Sequence, residues 1–111
     1  MKLGNHQAGV AAADTAIQSE PKEPRLWHAA ARVYAQAAAQ LQGQPGQDAA
    51  RTMTGSRYQA RAVVLLGKAL HLVPRDQRQG YWQETVLKDA ALYPIRAKFG
   101  ELTVRFGLQD R

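Results

Sequence analysis

The chain of 111 residues contains no cysteine. Disulfide bonds, thiolate metal sites and cysteine nucleophiles are therefore excluded. No apolar run approaches the roughly 18 residues that a membrane-spanning helix needs, and the first residues, MKLGNHQAGV, lack the apolar core of a secretory signal. These absences favour a cytoplasmic protein. The length fits one domain, either alone or as a fragment of a longer chain.

Residues that carry chemistry are few and scattered. His6, His28 and His71 fall in three different predicted helices without an i, i+4 pair, so a shared metal site is not expected. The pair Gly67-Lys68 lacks the other residues of a phosphate-binding loop. The acidic residues form no pair that indicates acid–base catalysis. We therefore predict no metal site, no cofactor and no enzymatic activity.

The formal net charge of +6 is unevenly distributed. Residues 1–50 carry four basic and four acidic groups, whereas residues 51–111 carry eleven basic and five acidic groups. A basic C-terminal half favours binding to nucleic acid or to an acidic partner as one hypothesis, beside the simpler interpretation of a solvated surface. The cations concerned are Arg57, Arg61, Lys68, Arg75, Arg78, Lys88, Arg96 and Lys98.

Prolines and glycines divide the chain into segments with helical spacing. The breaks are SEPKEP (19–24), QGQPGQ (42–47), VPRDQRQG (73–80) and LYPI (92–95). No segment shows the alternation of a strand, so the sequence predicts an all-α fold. In the fourth helix, Asp76 followed by Gln79 is typical of an N-terminal cap. The predicted helices cover about residues 6–19, 25–41, 57–73, 77–89 and 96–106.

The second predicted helix is rich in alanine, with seven alanines among residues 26–41. Its large or apolar residues recur at spacings of three and four, which places them on one side of a helix; they are Trp27, Ala30, Tyr34, Ala37 and Leu41. The third helix carries two adjacent apolar stripes, which indicates a helix packed between others. We expect Trp27, Tyr34, Leu66 and Leu70 to be buried.

Two segments share a phrase that consists of a small residue, a large aliphatic residue, a proline and an aromatic residue. The phrase resembles the tetratricopeptide repeat (TPR), a helix–turn–helix unit of 34 residues. The matching residues are Trp27, Ala30, Ala31 and Tyr34 in the first helix of the unit, and Ala62, Leu66, Ala69 and Pro74 in the second. The resemblance implies a TPR-like stack of antiparallel helical hairpins, a form of scaffold that binds proteins or peptides on its concave surface.

Tyr34 and Ala62 lie 28 residues apart, so the resemblance requires a long insert over about residues 42–56. We expect this insert to be the most mobile internal part of the chain. The tail DAALYPIRAKFGELTVRFG resembles the closing phrase of many bacterial TPR regions, with capping helices over about residues 77–106. Residues 4–106 are similar to a degenerate TPR module found C-terminal to bacterial serine/threonine protein kinases, which implies a piece of a larger signalling protein.

The resemblance implies that partners lie on the side of the second helix opposite its buried stripe. The candidate binding residues are Arg25, His28, Arg32 and Gln36 on this helix, with Gln83 and Leu87 on the fourth. Arg32 with His28 suits a carboxylate or an acidic peptide, and a solvated face without a partner is the alternative that the residues leave open. A plain structural role, as a spacer or a dimer interface, is a further hypothesis, and the oligomeric state stays open.

Overall fold

The computed structural model describes residues 5–42 and 49–109, and within these ranges the chain forms helices and connections but no β-strand. The predicted all-α fold is therefore confirmed. Two irregular helices, a π-helical segment (Trp82–Val86) and a 3-10 helix (Ala90–Lys98), lie between the last two α-helices. The α-helices are α1 (Asn5–Ile17), α2 (Pro24–Gln42), α3 (Ala49–Leu72), α4 (Arg75–Tyr81) and α5 (Phe99–Phe106).

The central element is α2, which packs against α1, α3 and the 3-10 helix. Near its start, Trp27 lies under the ammonium group of Lys68 from the end of α3. About two helical turns further on, Tyr34 packs against Tyr58 with ring centroids 5.5 Å apart. The earlier residue of α2 thus contacts the later residue of α3, and the later one contacts the earlier. The two helices are therefore antiparallel. Small side chains let helix backbones approach closely, and five alanines of α2 are buried: Ala30, Ala31, Ala35, Ala37 and Ala38.

The core matches the predicted stripes. Trp27, Tyr34, Leu66 and Leu70 are all buried, as the spacing predicted. Burial of each large apolar side chain stabilises the fold by about 1.5–3 kcal/mol relative to its exposure. The indole nitrogen of Trp27 also donates a hydrogen bond to the carbonyl of Pro21 at 2.7 Å, which fixes the connection between α1 and α2.

The predicted insert is wrong for residues 49–56, because α3 begins at Ala49. This stretch, AARTMTGS, contains no proline and consists largely of residues that a helix accepts. The hydroxyl of Thr54 donates to the carbonyl of Ala50 at 3.0 Å, one helical turn earlier. The remaining residues of the predicted insert, apart from Gln42 in α2, lie outside the described residues.

The fourth helix differs from the prediction in where it begins and in its hydrogen bonding after residue 81. The residue that caps α4 is Pro74, and no side chain caps the helix, so the cap assigned to Asp76 is wrong. At Trp82 the hydrogen bonding widens: the amide of Leu87 donates to the carbonyl of Trp82, five residues earlier. Trp82 and Val86, at the two ends of this segment, are both fully buried in the core.

The C-terminal segment packs back on α2 and α3. The predicted fifth helix is split, since residues 90–98 form the 3-10 helix around Pro94 and α5 begins at Phe99. Phe99 packs against the indole of Trp82, with ring centroids 5.0 Å apart. α5 ends at Gly107, whose φ of 65° is left-handed, and the amide of Leu108 closes the helix onto Thr103.

Two side chains hold the ends of these helices in place. The guanidinium of Arg78 donates to three carbonyls at the end of α3, those of Leu70, His71 and Val73. The side chain of Gln79 exchanges hydrogen bonds of 3.0 and 2.9 Å with the backbone of Gln109. Gln79 therefore holds the C-terminal residues in place and does not form the cap that the sequence predicted at the start of the fourth helix. None of the helices in the described ranges has the length and apolar character needed to cross a bilayer.

Candidate functional site

His28 is the predicted site residue whose position differs most from expectation. It is only 6% exposed and points towards the C-terminal segment. Its Nδ1 lies 2.7 Å from the hydroxyl of Tyr81, and its Nε2 lies 2.8 Å from Oδ2 of Asp89. Because a carboxylate only accepts hydrogen bonds, Nε2 carries the proton of the second contact. The prediction that His28 lies on an open groove is wrong.

Asp89 joins α2 to the C-terminal segment. Its Oδ2 also forms an ion pair with Nε of Arg32 at 3.0 Å. Its Oδ1 accepts a hydrogen bond from the amide of Ala91 at 3.0 Å, which caps the 3-10 helix. Gln36 donates to the carbonyl of Ala91 at 2.8 Å. Three side chains one helical turn apart on α2, those of His28, Arg32 and Gln36, thus hold the start of the 3-10 helix.

The same surroundings raise the pKa of the Tyr81 hydroxyl. Burial of the hydroxyl, together with the negative charge of Asp89, raises the pKa of Tyr81 to about 12. Tyr81 is therefore protonated throughout the physiological range. Its hydroxyl holds His28 from one side while Asp89 holds it from the other, which fixes the imidazole in one orientation.

An open groove runs along α2 beside this network. It has a volume of about 440 Å³, and we call it the α2 groove. Two of its residues, Arg32 and Gln36, are predicted site residues. Gly9 of α1 and Ala91 of the 3-10 helix also line the groove, and the complete lining is Gly9, Ala29, Arg32, Val33, Gln36, Ala37, Gln40 and Ala91.

The other three predicted site residues do not line this groove. Arg25 lies at the start of α2, where its exposed guanidinium pairs with Glu23 at 2.8 Å. Gln83 lies in the π-helical segment, and Leu87 follows that segment and packs partly buried against the core. A regular α-helix through residues 77–89 was assumed for these two residues, and the wider π-helical turn changes the direction in which each side chain points.

The partners of His28 were not predicted as site residues. Tyr81 and Asp89 come from two different parts of the C-terminal segment, more than fifty residues from His28 in sequence. The one signal for Asp89 was its place at the start of the closing TPR phrase. The contribution of Gly9 to the groove was also missed, because it depends on how α1 packs on α2.

The cations of the basic C-terminal half are used in different ways. Lys88 pairs with Glu84 at 2.8 Å, Arg96 lies over the ring of Tyr93, and Arg78 caps α3. Arg61 and Lys68 instead lie along one side of α3 beside a groove shared with α1. Among the described residues, no group of three or more His, Asp or Glu side chains is arranged to hold a metal ion.

Comparison with known proteins identifies no relative: no family model, no curated protein and no solved structure matches this chain. The TPR resemblance consequently depends on the residues quoted above and stays a prediction. The α2 groove and the polar network beneath it are therefore interpreted from their own geometry.

Proposed function

We propose that this protein is a protein-interaction scaffold that binds a peptide segment of a partner in the α2 groove. The observation that supports the proposal is the groove itself, where small side chains from α1, α2 and the 3-10 helix surround polar groups of α2. The TPR resemblance implies the same use of this side of the helix. In this proposal the module has no catalytic activity and acts in the cytoplasm as part of a larger signalling protein.

The lining of the groove suits a peptide backbone. Gly9, Ala29 and Ala37 have little or no side chain, so a bound chain approaches the helix surfaces closely. Gln40 is exposed at one end and offers both a donor and an acceptor. Apolar contact along the floor with polar groups at the margins is the usual composition of a binding cleft.

Arg32 supplies the positive charge of the groove. Its Nε forms an ion pair with Asp89, yet its side chain is 53% exposed. A guanidinium carries five N–H donors, so the terminal nitrogens remain available to a carboxylate of the partner. The ion pair with Asp89 holds the guanidinium in place before binding, which reduces the entropy lost when a ligand is bound.

The proposal is tested by selecting peptides from a random library and titrating the strongest binder against isotope-labelled protein. We expect the amide resonances that shift to be those of residues around Ala29, Val33 and Gln40. Ala29→Arg fills the groove and should weaken binding by at least about tenfold. Ala60→Arg is the matched control, because Ala60 is exposed on α3 and does not line the groove.

Both variants add the same side chain to an exposed helical alanine, so both should unfold at nearly the wild-type temperature. Equal loss of affinity in the two variants, or resonance shifts confined to other helices, would show that the α2 groove is not the binding site.

A further inference from the structure

A second surface, separate from the α2 groove, lies along the outer side of α3. The 24 residues of α3 include no aspartate or glutamate. Arg61, Val64, Lys68 and His71 are spaced by three or four residues, so they lie along one side of the helix. All four are exposed, and Val64, in the middle of the row, is 52% exposed.

Arg105 of α5 extends this row. Residue 67 of α3 is glycine, and a Cβ placed there would lie 3.4 Å from Nη1 of Arg105 and 3.6 Å from Cδ2 of Leu102. The absence of a side chain lets the guanidinium lie directly against α3. A shallow depression of about 290 Å³ results, and its lining is Val64, Gly67, Lys68, His71 and Arg105. We call these five residues the basic face.

The cations of the basic face are not neutralised within the described part of the chain. The carboxylates that form ion pairs there are those of Glu23, Glu84 and Asp89. Neither Lys68 nor Arg105 is paired with any of them. Their contacts are with aromatic rings, since Lys68 lies over Trp27 and Arg105 over Phe106. Such contacts position the cations but leave their charge uncompensated.

We propose that the basic face docks an acidic amphipathic segment of a partner protein. An apolar side chain of that segment packs on Val64 and over Gly67, and carboxylates on either side meet Lys68 and Arg105. Charge complementarity identifies this partner, because an exposed valine between unpaired cations matches an apolar residue between carboxylates.

Two observations favour an acidic protein segment over nucleic acid. Val64 occupies the centre of the row, and a phosphate backbone has no apolar group to cover it. Asp14 and Glu20 of the first part of the chain line the adjoining groove together with Arg61 and Lys68. These carboxylates repel a continuous line of phosphates, whereas a short segment with separated charges avoids them.

The probe is a fluorescently labelled, helix-forming synthetic peptide in which glutamates flank one leucine. A second peptide has glutamine in place of each glutamate, and a mixed-sequence DNA duplex of similar length is the third probe. We expect the glutamate peptide to bind at least about tenfold more tightly than the glutamine peptide. Lys68→Glu should weaken its binding about tenfold and Val64→Ser about threefold, as measured by fluorescence anisotropy.

Lys98→Glu is the matched control, since it makes the same charge change at an exposed residue outside the basic face. It should leave affinity within about twofold. Ala29→Arg should also leave this binding intact, which separates the basic face from the α2 groove. Arg105→Gln, which keeps a helix-forming residue, should reproduce the loss seen for Lys68→Glu if both cations act together.

Three results would overturn the proposal. One is equal affinity for the glutamate and glutamine peptides. Another is an equal loss of affinity for the glutamate peptide in Lys98→Glu and Lys68→Glu. The third is tighter binding of DNA than of the glutamate peptide with no effect of Val64→Ser, which would identify a surface for phosphate.

Discussion

The two sides of α2 are held by different kinds of contact. Towards α3, the contact is apolar, and it is made by alanines of α2 and leucines of α3 that are almost fully buried. Towards the C-terminal segment, the contact is polar, and it consists of hydrogen bonds and ion pairs from His28, Arg32 and Gln36 to Tyr81, Asp89 and Ala91. We refer to these as the apolar and the polar interface of α2.

Because the contacts differ, substitutions at the two interfaces should alter stability in different ways. Apolar burial is nearly non-directional, so its free energy follows the area and volume that are lost. A buried polar network depends on every member, because the loss of one partner leaves another donor or acceptor unsatisfied. The apolar interface should therefore contribute more stability, and the polar interface should be more sensitive to small chemical changes.

The largest expected effect is at the apolar interface. Trp27→Ala should lower the free energy of unfolding by about 3–5 kcal/mol, because it removes a buried indole and leaves a cavity. It also removes the hydrogen bond to Pro21. Urea denaturation followed by the fluorescence of Trp82 measures the change. A loss below about 1 kcal/mol would mean that the α1–α2–α3 packing described here is incorrect.

A smaller effect is expected at the polar interface. Asp89→Asn keeps the shape of the side chain but removes its charge, and one of its two acceptor oxygens becomes a donor. The amide nitrogen then replaces the oxygen that His28 and Arg32 share, so His28 loses its acceptor and Arg32 its ion pair. A loss of about 1–3 kcal/mol is expected. Glu23→Gln is the control, because it breaks an exposed ion pair with Arg25 that is worth little. Equal effects of the two substitutions would argue against a cooperative network.

The sequence was sufficient for the apolar interface and insufficient for the polar one. The spacing of Trp27, Tyr34 and Leu41 identifies a buried side of α2 without reference to any other element. His28 lies next to Trp27 on the helix, and its burial depends on what packs over it. That segment contains a π-helical turn and a 3-10 helix, and neither has a periodic apolar pattern that predicts it.

The same reason explains the mixed result for the candidate site. Arg32 and Gln36 line the α2 groove, and both positions follow from α2 alone, while their binding to a partner stays a prediction. Gln83 and Leu87 required a regular fourth helix, which the hydrogen bond from Leu87 to Trp82 replaces with a wider turn. Side chains beyond such a turn point in directions that an α-helical projection does not give.

Stability at alkaline pH tests the raised pKa values of two tyrosines. The pKa of Tyr81, at the polar interface, and that of Tyr34, beside Asp14, are each raised to about 12 from 10, mainly by burial. Between these values the folded protein keeps protons that the unfolded chain releases, so stability is complete below pH 10 and falls as pH rises towards 12.

Tyr81→Phe should remove the contribution of Tyr81, so the stability of the variant should fall less steeply over this pH range. The expected difference is about 1 kcal/mol after allowance for screening by solvent. Urea midpoints at several pH values measure it, and Tyr34→Phe gives the corresponding value for the other tyrosine. Identical slopes for Tyr81→Phe and wild type would contradict the raised pKa of Tyr81.

The smallest expected effect tests the extension of the apolar interface through the first turns of α3. Gly55 lies inside this helix, and a Cβ placed there meets no atom within 4 Å. Gly55→Ala should therefore raise the free energy of unfolding by about 0.5–1 kcal/mol, because alanine loses less backbone entropy in a helix than glycine does. Gly107→Ala is the contrasting control, since the left-handed φ of 65° at Gly107 opposes any side chain, and we expect it to lower stability by about 1 kcal/mol. Chemical denaturation of both variants measures these changes in the free energy of unfolding. If Gly55→Ala leaves stability unchanged or lowers it, then residues 49–56 are not helical in solution, and α3 begins closer to the position that the sequence predicted.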